Sequence, residues 1–367
     1  MTPRADAGIV VGALAVASLL LAPAVAQARV PRSFFGVAPQ SPLTDRDFSR
    51  MAKAKVGTLR FGLHWATVEP SRGTFDWSGP DSYVERAAEN GIRPLPYLSG
   101  TPEWAARLDG RACARDGCAA YAPEGRKALA AWSEFVAAAV ARYGPGGGFW
   151  VENPTVPRSP VRAWQIWNEQ NSPTFYEPRP NVNAFAKLLA VSHAAIARRD
   201  PGAEVILGGM FGTPLGGLRP GLSAPDYLAR LYRKGAAKDF DAVAPHPYGS
   251  TFKRVLAQLK LLRDEMREAR DASSELWITE LGWASGGPPS PLNKGEKGQA
   301  AELERAFKFF AKRRKTFNIG NVDWYSWRDS SASATALCEW CPESGLLEEN
   351  FTTKPSLDAF TTFTGGN

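Results

Sequence analysis

The chain has 367 residues, 44% of them apolar, a formal net charge of +7 and four cysteines. The positive charge is spread along the chain without a recognisable nucleic-acid-binding module, so a nucleic-acid partner is excluded as a reading. It fits instead a basic protein that stays soluble near an anionic surface or meets an acidic polymer. No apolar stretch is long enough to cross a bilayer.

The N-terminus, Met1-Thr-Pro-Arg-Ala-Asp-Ala-Gly8, precedes an apolar run from Ile9 to Leu21 and the small-residue stretch Ala24-Val-Ala-Gln-Ala28. This order is that of a secretory signal peptide, which predicts residues 1–28 as a leader and 29–367 as one exported catalytic domain. Eight apolar strand candidates follow: Phe34 to Val37, Thr58 to Leu63, Arg93 to Leu98, Arg162 to Trp167, Glu204 to Gly209, Ala242 to Pro245, Leu276 to Thr279 and Val322 to Ser326. Helical patterns lie between them at Asp81 to Asn90, Pro123 to Tyr143, Asn183 to Arg199, Phe252 to Asp271 and Lys297 to Phe317. Strands alternating with helices predict parallel βα units, and eight strands predict a (β/α)8 barrel, an α/β fold that runs as a single domain at this length.

The interruptions at Gly110 to Pro123 and Gly144 to Pro160 are loops too short to separate two domains. The basic run Lys312-Arg-Arg-Lys315, on a helix carrying Phe307, Phe310 and Phe317 at helical spacing, reads as a solvated face. The tail from Asn350 to Phe360, with Lys354-Pro355 at a helix start, suits the last barrel helix. Four cysteines in two tight pairs, Cys113 with Cys118 and Cys338 with Cys341, predict two local disulfides in an exported chain. A four-cysteine zinc site is the alternative.

Two carboxylates carry the chemistry. Glu169 in Trp164-Gln-Ile-Trp-Asn-Glu-Gln-Asn171 and Glu280 in Leu276-Trp-Ile-Thr-Glu-Leu-Gly-Trp283 each end a short apolar, aromatic-rich strand. A carboxylate at a strand exit is poorly placed for solubility and well placed to meet a substrate at the C-terminal face of a barrel. A pair of them is the equipment of glycoside hydrolysis, where one protonates the leaving oxygen and the other attacks or activates water. Asn168 stands beside Glu169, and Arg60, His64, His246, Tyr248 and Trp327 stand at other strand exits; all converge on the same face. His193, within a helix, reads as a packing or surface residue.

These residues resemble clan A of the glycoside hydrolases, retaining (β/α)8 enzymes, and within it are most similar to families 39 and 5. Trp167-Asn168-Glu169 matches the clan's Asn-Glu pair at the end of strand four, and Thr279-Glu280-Leu-Gly-Trp283 matches its strand-seven glutamate. The resemblance implies Glu169 as acid/base and Glu280 as nucleophile, and extends to Arg60, His246-Pro-Tyr248, Trp327 and the closing segment Gly345 to Phe360. Gln170 stands where the commonest form of the motif has proline, which leaves family and substrate open.

In a retaining mechanism Glu169 needs a raised pKa, from apolar neighbours such as Trp164 and Trp167 and from Glu280. Arg60 and Tyr248 would favour charged Glu280, and Asn168 would bond a sugar 2-hydroxyl. Among the tryptophans, Trp283 and Trp327 are expected to stack on sugar rings, with Trp65, Trp104 and Trp340 left open. The expectation is an exported retaining β-glycosidase acting on a carbohydrate substrate with neither metal nor organic cofactor, and not inserted in a membrane. A non-catalytic carbohydrate-binding barrel is the alternative, although it has no need of both carboxylates. A metal-dependent hydrolase using Glu169, His246 and Glu280 is disfavoured, because three histidines are few for such a barrel.

Overall fold

A computed structural model describes residues 1, 30–113, 117–212, 222–331 and 338–366. The expected leader, residues 1–28, lies almost entirely outside them. Eight strand positions form one parallel sheet that closes on itself: β1 Phe35–Val37, β2 Thr58–His64, β3 Arg93–Ser99, β4 Ala163–Asn168, β5 Glu204–Phe211, β6 in two pieces (Ala242–Val243 and Pro245–His246), β7 Glu275–Leu281 and β8 Ile319–Trp324. The ring closes through β1 against β8, with Phe35 opposite Val322 and Val37 opposite Trp324.

The principal helix after each strand is α1 Asp45–Lys53, α2 Ser78–Glu89, α3 Arg126–Tyr143, α4 Val182–Arg199, α5 Ala224–Arg233, α6 Phe252–Glu268, α7 Gly295–Phe317 and α8 Pro355–Thr364; shorter helices at Trp65–Val68, Glu103–Leu108 and Gly148–Glu152 lie in the connections, the last within the stretch expected as loop. This is the (β/α)8 barrel that the strand count predicts. Two of its helices, α1 and α5, have no counterpart in the sequence reading. Both are short, 9 and 10 residues, and α1 is strongly polar, with Phe48 and Met51 as its buried apolar contacts. Among the described residues no helix is long and apolar enough to cross a membrane.

The core has two parts, as side-chain alternation along a strand dictates. Outward-facing strand residues such as Leu59, Phe61, Leu98, Ile166, Leu207 and Ile278 pack against the helices in one large cluster. Residues of opposite parity, Leu95, Ala163, Ile206, Ala242 and Trp277, form a small separate cluster that fills the barrel's own interior. One layer above it, on the same inward parity, the residues turn polar: Arg60, Gln165, Thr279 and Asp323, all buried. The apolar plug below therefore serves as the dry floor of a polar chamber. On α7, Phe307 and Phe310 are buried while Lys312, Arg313 and Lys315 are exposed, the solvated face expected of that run.

Both cysteine pairs are bonded as expected, Cys113 to Cys118 beyond β3 and Cys338 to Cys341 beyond β8, with Cα–Cα distances of 5.0 and 5.3 Å. The four sulfurs do not gather into one cluster, so the zinc alternative falls among the described residues. Bridges spanning so few residues remove little unfolded-chain entropy. Each should add about 2 kcal/mol. Replacing Cys338 and Cys341 by serine should therefore lower the unfolding free energy by no more than that in denaturant titration, and non-reducing peptide mapping of the native chain should recover only the two local linkages.

Candidate active site

Six strands deliver side chains to one chamber at the C-terminal mouth. Arg60 of β2 lies at its centre, 4% exposed, and makes three hydrogen bonds of 2.7 Å: Nη1 to Glu280 Oε1, Nη2 to Asn168 Oδ1 and Nε to Gln165 Oε1. Its guanidinium also lies 4.3 Å from the ring centroid of Tyr97 on β3. Tyr248, just past β6, donates to the other oxygen of Glu280 at 2.7 Å. Two donors thus converge on the Glu280 carboxylate, one charged and one neutral.

Glu169 stands across the chamber with its backbone in the left-handed region at φ 44°, and Trp167 two residues earlier is at φ 70°. Non-glycine residues seldom adopt this conformation, which costs of order 1 kcal/mol or more each and concentrates at functional sites. The turn lifts the Glu169 side chain into the mouth, where His246 Nδ1 lies 2.9 Å from its Oε1 and 3.4 Å from Glu280 Oε2. One carboxylate oxygen of each glutamate and a ring nitrogen of His246 all lie within 4.8 Å of one another.

Burial pushes the Glu169 carboxyl well above its ordinary value, and the neighbouring Glu280 pushes it the same way against the opposing pull of Arg60. Burial holds His246 well below its ordinary value, with Arg60 adding to the effect, so its ring is neutral. Tyr248 is raised by burial and by Glu280, and keeps the proton it donates. The environment of Glu169 therefore favours its protonated form.

The ring of His246 rests on β5. A Cβ at Gly209 would lie 2.0 Å from its Nε2, so only glycine leaves room for the imidazole there. His64, at the end of β2, contacts Ser99 Oγ at 3.1 Å and meets the Tyr97 ring edge-on at 5.6 Å. Its ring reaches solvent, yet the surrounding walls still lower its pKa by desolvation. The cluster of Glu169, His246 and Glu280 has donor atoms of the kind that hold cations. Both ring nitrogens of His246 are engaged in hydrogen bonds, however, and the fixed positive charge of Arg60 sits on Glu280, a poor setting for a second cation.

Arg60, His64, Asn168, Glu169, His246, Tyr248 and Glu280 are all brought to the mouth, as the strand exits predicted. The two favoured tryptophans are not. Trp283 is fully buried with its indole N–H on Gly249 O at 2.7 Å, and Trp327 is fully buried with its N–H on Asp47 Oδ1 at 3.1 Å. Neither offers a ring face to a sugar, because the sequence does not show on which side of its strand exit each chain turns. Among the described residues, Tyr97, Tyr325 and the half-buried Trp340 join Tyr248 at the chamber, the Trp340 centroid lying 5.0 Å from Tyr248 and 6.0 Å from Tyr325. Tyr325 is raised by burial, then by Glu280 and Glu169, which places its hydroxyl within their field. Gln165 and Thr279, both read as strand interior in the sequence, also belong to the site. Their only signal is a polar residue at an inward position of an otherwise apolar run.

Residues 39–107, from the end of β1 through β2 and β3, match the family model Glyco_hydro_42, described as beta-galactosidase. No curated protein matches the chain. A family 39 glycoside hydrolase from the gut symbiont Bacteroides cellulosilyticus WH2 is similar in structure, with 21% identity, a TM-score of 0.66, and 91% of this chain and 63% of that chain covered. A GH39 beta-xylosidase from Caulobacter crescentus gives 20% identity, a TM-score of 0.63, and 91% and 72% coverage. GH5_18 from Bifidobacterium longum subsp. infantis gives 17%, 0.64, and 91% and 78%. The chain thus spans under two thirds of the family 39 structure from the gut symbiont. Families 39 and 5, the two that the motifs resemble, are both represented among the similar structures. The class of fold is that of the glycoside hydrolase barrels.

A carboxyl held protonated by burial destabilises the fold as pH rises. With its folded pKa raised above the ordinary 4.5, Glu169 costs nothing below that value, where both folded and unfolded forms are protonated. The cost grows as the unfolded chain ionises and the folded one does not. Glu169→Gln should therefore stabilise the protein at pH 7, the gain approaching at most about 1.4 kcal/mol per pH unit above the unfolded pKa. Thermal unfolding at pH 4 and pH 7 checks this: the gap between variant and native chain should close at the lower pH.

Proposed function

We propose that the chain is an exported retaining β-glycosidase that hydrolyses a poly- or oligosaccharide by double displacement. The observation that carries the reading is the separation of the two carboxylates. One oxygen of Glu169 and one of Glu280 lie within 4.8 Å of each other, a close approach that suits the roughly 5 Å spacing of carboxyl groups in retaining enzymes.

In this reading Glu280 attacks the anomeric carbon while Glu169 protonates the departing oxygen. Water then enters, Glu169 takes its proton, and the glycosyl–Glu280 bond breaks. Arg60 and Tyr248 hold Glu280 by both oxygens, so one of these bonds must loosen as that oxygen bonds to carbon. Asn168, its carbonyl oxygen engaged by Arg60, presents its amide group to the substrate's 2-hydroxyl. Tyr325 and Trp340 supply apolar wall in place of the tryptophans first expected. Export rests on the N-terminal sequence and accords with the two disulfides.

Glu280→Ala should abolish turnover with the fold intact, and azide should restore cleavage of an activated aryl glycoside with inverted product, the anion entering the vacated site. A 2-fluoro sugar with a good leaving group should label Glu280 covalently in the native protein; absence of that label in active protein defeats the retaining mechanism.

Glu169→Ala should cost on the order of 10² to 10⁴ in rate on glycosides with poor leaving groups and far less on activated phenols, since only the former need a proton at departure. Comparing the two substrate classes decides the role. Equal losses remove Glu169 as the acid. In the native protein the basic limb of the pH–rate profile should report Glu169 and lie above the ordinary carboxylate range.

A further inference from the structure

Five side chains inside the barrel form an unbroken series of four hydrogen bonds from the central cation to Glu169. Arg60 Nε meets Gln165 Oε1 at 2.7 Å, Gln165 Nε2 meets Thr279 Oγ1 at 3.1 Å, Thr279 Oγ1 meets His246 Nε2 at 3.0 Å and His246 Nδ1 meets Glu169 Oε1 at 2.9 Å. Gln165, Thr279 and His246 are each 0% exposed, so no water competes for these positions.

The direction of every bond follows from the first. Arginine can only donate, which fixes the Gln165 carbonyl oxygen toward Arg60 and its amide N–H toward Thr279. The Thr279 hydroxyl accepts that bond and has one proton of its own to give. Among the described residues His246 Nε2, at 3.0 Å, is the acceptor within its reach, and the proton goes there. A ring that accepts at Nε2 and is neutral carries its proton on Nδ1, and so donates to Glu169 Oε1. An acid whose Oε1 already receives a hydrogen bond bears its own proton on Oε2, away from the histidine.

We propose that Gln165 and Thr279 are positioning residues that lock His246 in the Nδ1–H tautomer, and that this tautomer keeps the proton of Glu169 on the oxygen that faces the substrate. With the opposite tautomer, the bare Nδ1 would accept the acid's proton in a hydrogen bond and turn it from the leaving oxygen. The tautomer stands on the hydrogen-bond series alone. Its catalytic consequence rests on the reading of Glu169 as the acid.

Two substitutions should reverse the lock by different routes. Thr279→Val removes the donor at Nε2. Gln165→Glu keeps Arg60 paired but presents an acceptor to Thr279, whose hydroxyl then turns away from His246 and leaves its lone pair for an Nε2–H. Thr279→Ser keeps the donor and should keep the lock.

The chain has only three histidines, so a long-range proton–nitrogen spectrum of protein labelled with ¹⁵N-histidine resolves each tautomer, with His64→Ala and His193→Ala assigning His246 by elimination. The native protein and Thr279→Ser should show a protonated Nδ1 and a bare Nε2 at His246, and Thr279→Val and Gln165→Glu the reverse. A native His246 protonated at Nε2 or at both nitrogens overturns the lock, whatever the protein's activity. The catalytic part is tested separately. Thr279→Val should lose on the order of tenfold more rate on poor leaving groups than on activated ones, and Thr279→Ser should restore the native ratio.

In the same variant the basic limb should move up, because Glu169 loses a donor to its charged form and gains an acceptor for its neutral one. The other groups facing the pair are Arg60 and His64 on β2, Tyr97 on β3, Tyr248 beyond β6, Glu280 on β7, and Asp323 and Tyr325 at β8. All of them remain in place in Thr279→Val. A folded variant with reversed tautomer but native leaving-group dependence defeats the catalytic role. If the native protein cleaves no glycoside, the functional reading fails while the tautomer result stands.

Discussion

A buried guanidinium organises this barrel. Arg60 is almost wholly withdrawn from water, and a cation in that position costs several kcal/mol unless acceptors surround it. Three do, and they come from two other strands: Gln165 and Asn168 on β4 and Glu280 on β7. The requirement to satisfy one planar fork thus fixes the relative heights of three strands at the level where chemistry is proposed. The apolar cluster beneath, from Leu95 to Trp277, keeps the chamber floor dry and makes those bonds stronger than they would be in water.

The same cation sorts the two carboxylates. Glu280 takes the direct ion pair and the Tyr248 hydroxyl, whereas Glu169 receives only the neutral His246 and lies deeper in the repulsion of its partner. Two residues of one chemical type thus meet different surroundings, which the proposed roles of proton donor and nucleophile require. The arrangement is costly to the fold. It combines a neutralised buried acid, left-handed backbone at Trp167 and Glu169, and a buried Asp323 whose carboxyl is also driven far up by burial. Such costs at one end of a barrel are borne by apolar packing elsewhere, here the large cluster between strands and helices.

The wall beside Glu280 is built by loops from both ends of the chain. The Cys338–Cys341 turn carries Trp340 against Tyr248; Gln40, just past β1, donates to Cys341 O at 2.6 Å and accepts from the Tyr325 hydroxyl at 2.7 Å. Next to it, Lys354 and Asp329 form a buried ion pair that also engages Ser285 Oγ, tying the start of α8 to the loops after β7 and β8. Arg328 and Trp327 both bond Asp47 of α1. Trp327 belongs to this clasp, whereas Trp283 bonds Gly249 O in the loop after β6, so both hold loops together rather than meet a substrate.

Alternation of apolar strands with helices was enough to determine the barrel, because parallel strands buried on both faces read as continuous apolar runs and each must be followed by a crossover helix. The positions of the two glutamates at the mouth were equally legible, since a charge at the exit of such a run is poorly placed for solubility and well placed to face a ligand. The short helices α1 and α5 were not: α1 buries only Phe48 and Met51 as large apolar residues, and the helical spacing of Ala224, Tyr227, Leu228 and Leu231 in α5 spans barely two turns. Nor were Gln165 and Thr279: one polar side chain inside an apolar strand says nothing of what lies opposite it across the barrel. Only closure of the ring brings positions 60, 165, 246 and 279 within hydrogen-bond reach. The direction of the bonds among them, and so the place of a proton, is a property of that enclosed geometry, which no local pattern encodes.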